Sequence, residues 1–168
     1  MALTKNTKFH HSVTENGNLQ LRIVTEYQDD EGNVLDQKYS DPYTPADTSK
    51  MDGFDDRSKD IVTAITDSKV KADFAVEKQT KTGQGLEQIV SYDRTLDDLG
   101  RISVRRITRI FDEGEEVSKK YHRSWIMPGD DASKADVMSK AVANKIHTQA
   151  IINAYKAEMI AMEERDNL

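Results

Sequence analysis

The run Glu15-Asn16-Gly17-Asn18-Leu19-Gln20-Leu21-Arg22 returns as Asp98-Leu99-Gly100-Arg101-Ile102-Ser103-Val104-Arg105, displaced by 83 positions (100 − 17). Both runs read acid-x-Gly-x-aliphatic-polar-aliphatic-Arg. Thr25 falls on Thr108, then Glu31-Gly32 on Glu113-Gly114 and Lys38-Tyr39 on Lys120-Tyr121, at a displacement of 82 (114 − 32). One extra residue in the first turn, Asp29 or Asp30, accounts for the change. Pro45 and Asp47 then meet Pro128 and Asp130, and each copy enters a helix-like stretch. Whatever fold the chain adopts must therefore contain one unit twice, though two copies are too few for a solenoid.

Within each copy the pattern predicts a hairpin followed by a helix. Leu19, Leu21 and Ile23 alternate with polar residues, the period of a strand with one wet face. Asp29-Asp30-Glu31-Gly32-Asn33 reads as a turn, and Val34 to Tyr39 as the returning strand. In the second copy Ile107 shifts the phase set by Ile102 and Val104 across Arg105-Arg106, which predicts either a β-bulge there or a twist at the edge. Asp112-Glu113-Gly114 is its turn and Val117 to Ile126 its return. Phe9 and Tyr92 predict a short leading strand per copy. Prolines 42, 45 and 128 end the sheet.

Ile61 and Ile65 predict a helix over Asp55–Thr66, capped by Asp52 or Asp55. Met138, Val142 and Ile146 predict a second, with Ser133 and Asp136 as a capping-box-like start. Thr148 recaps a further helix bearing Ile151, Tyr155 and Met159, whose polar end, Glu163 to Leu168, frays. Between the copies Val70, Ala72, Phe74 and Val76 alternate as a strand would, and Thr80 to Gly85 reads as a loop. The expected class is α+β: two diverged β-hairpin-plus-helix units with antiparallel sheet and a C-terminal helical extension. The expected division is residues 1–67 for the first unit, 68–89 for a connector, and 90–168 for the second unit with its C-terminal helix.

Composition narrows what such units can do. Apolar residues make up 36% of the 168 and charged residues 32%, which favours two thin units or an assembled subunit over one thick domain. A net charge of −6 argues against bulk electrostatic binding to nucleic acid or anionic membrane. The absence of cysteine removes disulfides, thiolate metal sites and thiol catalysis. The start has no apolar stretch of signal-peptide type and no apolar run approaches roughly 20 residues, so the chain is expected to be made and kept in a cytosol, or assembled there.

Chemical constellations are sparse. Thr82-Gly83-Gln84-Gly85-Leu86-Glu87-Gln88 contains G-x-G but has Gln88 where a dinucleotide fingerprint needs its third glycine. Taking Gly32 as the sixth residue of a calcium loop puts Tyr27 first and Lys38 twelfth, and both fail as ligands. His10, His11, His122 and His147 show no metal-ligand spacing. The clusters Asp29-Asp30-Glu31, Asp55-Asp56 and Asp130-Asp131 fit turns and helix N-termini. The sequence predicts no enzyme, no cofactor and no metal.

Charge, however, is divided between the copies. Glu15 to Thr66 holds twelve acids against five Lys/Arg, while Arg101 to Arg123 holds seven Lys/Arg against four acids. Two solvated sheet faces would account for this; the functional reading is complementary head-to-tail contact, between the units or between neighbouring subunits. Phosphate contact by the basic hairpin ranks last, for want of aromatic residues interleaved along it.

The run Arg106-Ile107-Thr108-Arg109-Ile110-Phe111-Asp112-Glu113-Gly114, then Lys120-Tyr121-His122-Arg123, Pro128-Gly129-Asp130-Asp131 and His147-Thr148, resembles a family of small proteins encoded among the structural genes of tailed bacteriophages. The resemblance covers about residues 90–160. The first copy departs from it, with Tyr39-Ser40-Asp41 for Y-H-R and Pro45-Ala46-Asp47 for P-G-D. It implies a virion-associated structural role as a tail, neck, fibre-attachment or capsid-decoration subunit, assembled in the host cytoplasm. The implied partners are other phage structural proteins and further copies of itself in a homo-oligomer; the lack of a spanning run speaks for no membrane partner, and the acidic balance against nucleic acid. The candidate interface is Arg105, Arg106, Arg109, Tyr121, His122, Arg123, Trp125, Asp130 and Asp131. The rival expectations are a non-virion assembly chaperone or host-directed inhibitor, and a metal-dependent hydrolase using the acidic clusters.

Overall fold

A computed structural model describes residues 3–44, 51–77, 80–83 and 85–166. In chain order the elements are β1 (Thr4–Val13), β2 (Leu19–Gln28), β3 (Val34–Tyr39), α1 (Asp56–Thr66), α2 (Ser68–Glu77), β4 (Thr80–Gly83), β5 (Leu86–Leu96), β6 (Ile102–Asp112), β7 (Glu115–Ile126), α3 (Val137–Ile146) and α4 (Gln149–Asp166). A single 3-10 turn at Ala132–Lys134 precedes α3. The strands form one antiparallel sheet in the order β3-β2-β1-β5-β6-β7, with β4 pairing β5 off this path. This is an α+β fold, with two strand meanders, a helix following each, and a C-terminal helix.

The repeat is written into the hydrogen bonding. Gly17 N–H donates to Thr14 O and Thr14 N–H to Asn18 O; 83 positions on, Gly100 N–H donates to Asp97 O and Asp97 N–H to Arg101 O. Both glycines have positive φ, +76° and +83°, which a side chain would strain. Strand pairing between the meanders takes in three residue pairs, His11–Leu96, Ser12–Thr95 and Val13–Arg94. Exchanging each residue for its repeat partner maps this set onto itself, as a local twofold axis between Ser12 and Thr95 requires. The second turns differ in length. Glu113 and Gly114 form a two-residue loop, both at positive φ, as a tight hairpin demands, whereas the first turn runs from Asp29 to Asn33.

The helices cover one sheet face and build a core shared by both units. Its strand members come in repeat pairs: Val13 with Leu96, Leu19 with Ile102, Leu21 with Val104. So do its helical members, now 81 positions apart (142 − 61): Ile61 with Val142, Val62 with Ala143, Ile65 with Ile146. Helices α1 and α3 pack against each other across the local axis. Burial of each such aliphatic side chain contributes about 1.5–3 kcal/mol, so a core that neither unit could close alone stabilises both. No described helix is long and apolar enough to cross a membrane.

Several expectations are corrected. Val70–Val76 is helical, not a strand: Asp67 accepts from Lys69 N–H and Val70 N–H, Val70 and Phe74 turn toward the core four residues apart, and Ala72 and Val76 are exposed. Thr80–Gly83 is a strand, held by backbone pairing to Leu86–Ile89, not a loop. The cap of α3 is Asp136 with Ser139, while Ser133 lies in the 3-10 turn capped by Asp131. Asp55, not Asp52, caps α1. The register runs unbroken through Arg105-Arg106, and the irregularity falls between Ile110 and Phe111, where Val117 is the extra residue. Its repeat partner Leu35 is the extra residue opposite Tyr27/Gln28, so the bulge too is duplicated. Strand β5 begins at Leu86, inside the expected connector. Pro45, Asp47, Gln84 and the last two residues lie outside the described residues.

Candidate interaction surface

Strand alternation sorts the candidate residues. Ile102, Val104 and Ile126 face the helices, so Arg105 and Arg109 on β6, with Tyr121, Arg123 and Trp125 on β7, project from the opposite, open face of the sheet. Arg106 and His122 are paired with each other on the helix side, beyond the helices' cover, and both are exposed. Asp130 accepts from Met127 N–H at 2.8 Å, and Asp131 from Ser133 N–H and Oγ, also at 2.8 Å. The structure thus gathers five of the nine and assigns the two aspartates to the strand-to-helix corner.

On the open face cations lie over rings. The Arg105 guanidinium sits 5.3 Å and Lys119 Nζ 5.6 Å from the Tyr121 ring centroid, and Arg101 sits 5.6 Å from that of Trp125. Tyr121 and Trp125 remain 57% and 48% exposed, large areas for aromatic side chains on a folded surface. The sequence expectation that the basic hairpin lacks interleaved aromatics is therefore overturned. The register sets Tyr121 beside Ile107, Arg123 beside Arg105, and Trp125 beside Ser103.

Most of these cations are already neutralised within the chain. Arg105 Nε donates to both oxygens of Asp93 at 3.0 Å, and that carboxylate holds the guanidinium pKa above its ordinary value. Arg109 grips Glu15 through two hydrogen bonds of 2.7 and 2.8 Å, and the arginine, with help from Ser91, brings the Glu15 carboxyl down to about 2 against the opposing effect of burial. Among the described residues Arg123 and Lys119 have no carboxylate within 4.0 Å, although Lys119 still acts on Glu15 at longer range. Ser12, Thr95, Ser103, Asp93, Arg105 and Arg123 line a shallow hollow of about 160 Å³ at the local axis.

The Glu15–Arg109 tie has a counterpart. Lys8 binds Glu26 at 3.0 Å and Asp98 at 3.6 Å. Lys8, Glu26 and Asp98 are the repeat partners of Ser91, Arg109 and Glu15. Each unit's first turn thus sends an acid across the axis to the other unit, but the receiving cation sits on the first strand of one and the second strand of the other. Part of the divided charge is spent inside the molecule.

Two buried polar clusters, missed in the sequence, hold the helices to the sheet. His11 Nε2 lies 2.8 Å from Ser58 Oγ, and Ser58 also hydrogen-bonds the cap residue Asp55. At the equivalent place Arg94, 1% exposed, bonds Ser139 and pairs with the cap residue Asp136. Burial acts upward on Asp55, yet the nearby His11 ring and the hydrogen bonds from Ser58 bring its carboxyl to about 2. His11, Ser58 and Asp55 have the composition of a nucleophilic triad without its geometry. The acid stands 3.9 Å from the same ring nitrogen that meets the serine, and Ser58 is fully buried. The shared D-x-x-S spacing at Asp55 and Asp136 was the available signal.

A larger concavity, about 290 Å³, lies where the β1–β2 turn and α2 meet β5, with Glu15, Phe74, Glu77, Tyr92 and Arg109 on its walls. Its acids are engaged: Glu15 by Arg109, and Glu77 by Val137 N–H at 3.0 Å to each oxygen. Burial nonetheless pushes the Glu77 carboxyl above its ordinary range. Among the described residues no three His, Asp or Glu side chains converge as a metal site would need. No protein-family model, curated protein or solved structure matches this chain.

Proposed function

We propose that the chain is a non-enzymatic assembly subunit of a tailed-bacteriophage particle, acting by protein–protein contact through the uncovered side of its sheet. The supporting observation is the Arg105–Tyr121–Arg123–Trp125 surface, where large, half-exposed aromatics stand among arginines on a rigid strand pair. Tyr, Trp and Arg are the side chains that most often carry binding energy at protein interfaces. The phage setting rests on the resemblance over residues 90–160. Mass spectrometry of purified particles tests the reading: the chain is expected in stoichiometric amount. Recovery with assembly intermediates but absence from finished particles would make it a chaperone and overturn the structural role.

A further inference from the structure

Along its main path the sheet ends in β3 and β7, and among the described residues neither has a neighbouring strand on its outer edge, where the Asp36 carboxylate caps the outward Gln37 N–H of β3 at 2.9 Å and must swing away for a strand to add there. β3 is exposed along its whole length, and β7 over nearly all of its length. Such an edge is a template for another strand. We propose that β3 of a second copy adds to β7, joining copies head to tail into one continued sheet. This rests on the reading that the chain works by protein–protein contact, and it names the partner.

Three observations favour that occupant. First, direction: neighbouring strands alternate from β3 to β7, so β3 of a copy placed beside β7 in the same orientation runs antiparallel to it and keeps both open faces on one side. Second, side chains: Tyr39 and Tyr121 are repeat partners on the open face, 53% and 57% exposed. Setting one opposite the other places Gln37 opposite Arg123; its amide oxygen accepts from Tyr39 OH at 2.9 Å and has a second lone pair for that guanidinium. Third, charge: β7 against another β7, centred on Tyr121, would set Lys119 opposite Arg123 twice, and like charges directly opposite repel. Those cations guard β7 against its own kind while leaving it open to β3. The resulting contact is heterologous, so it closes into a ring or continues as a helical filament.

Sedimentation of the purified full chain across a concentration range is expected to show species beyond the monomer. Tyr39→Lys and Tyr121→Lys, both exposed and checked for retained folding by circular dichroism, are each expected to weaken self-association about tenfold or more. A monomer at every soluble concentration overturns the proposal. So does sensitivity to only one of the two changes, which would mean β3 on β3 or β7 on β7. Because the chain has no cysteine, Gln37→Cys mixed with Arg123→Cys is expected to yield a disulfide-linked dimer. The double variant is expected to yield a ladder, and failure of both to cross-link overturns the register. A chain that is present in particles but shows no such contact keeps the functional reading and loses this one. The contact in a chain absent from particles does the reverse.

Discussion

At repeat-equivalent positions beneath the helices the first unit holds His11 and the second Arg94. Each meets a serine in the first turn of a helix and the aspartate that caps it. The scaffold position is the same and the chemistry is not: a hydrogen bond from a titratable ring in one, a full ion pair in the other. What is retained is the need for a polar partner at the helix start, where a buried hydroxyl and cap would otherwise be left unsatisfied. The two units therefore make the same connection with different strength, and that inequality can be tested.

The largest effect is expected at these clusters. Arg94→Met leaves Asp136 buried without its counter-charge and should cost about 3–5 kcal/mol. His11→Ala, which removes the hydrogen bond to buried Ser58, should cost about 1–3 kcal/mol. Urea denaturation at pH 7 compares them, and equal costs would break the distinction. The equivalent glycines come next. Gly100→Ala meets strain at positive φ and a methyl of Ile151 2.9 Å away, for an expected loss of about 2–4 kcal/mol. Gly17→Ala meets the end of the Met138 side chain at 2.9 Å and the Phe74 ring at 3.2 Å, beside the same positive-φ strain, and should lose about 1–3 kcal/mol. Thermal unfolding ranks the pair.

The smallest contrast lies in the crossing ties. Glu15→Gln removes a two-bond grip and should cost about 1 kcal/mol, while Asp98→Asn removes a single exposed contact and should cost a few tenths. Acid titration sharpens this. Glu15 is about 2 in the folded chain against an ordinary 4.5, so its contribution is complete above about 4.5 and is lost as pH falls through about 2. The Asp55 carboxyl, brought from an ordinary 3.8 to about 2, keeps its full contribution above about 3.8 and loses it as pH falls through about 2. Glu15→Gln should flatten part of the stability loss between about 4.5 and about 2, and an unchanged slope would separate the tie from stability.

Much of the fold was legible because the hairpins announce themselves locally, through alternating aliphatics and turn glycines. The errors arose where local pattern and tertiary packing disagree. Val70, Ala72, Phe74 and Val76 alternate, but only Val70 and Phe74 have anything to pack against, and the Asp67 cap favours helix. Thr80–Gly83 carries no apolar signal because its pairing is made by backbone. The surface was less legible still. Arg105 and Tyr121 are sixteen residues apart in sequence, and their contact depends on a register set by a two-residue turn and a bulge. Glu15 and Arg109 are 94 residues apart and meet only across the local axis. The proposed role among phage proteins comes from the resemblance, and the geometry supplies surfaces on which it could act.

The self-matching register of His11–Val13 with Arg94–Leu96 has a further consequence. Two identical chains meeting across such an axis must inherit every substitution in both halves at once. A lysine at position 8 would then appear on both sides, and no arrangement could put Lys8–Glu26 in one half and Ser91–Arg109 in the other. Joining the halves in one polypeptide frees them from mutating in step. The chain keeps the geometry of a symmetric pair while giving its two outer edges separate careers.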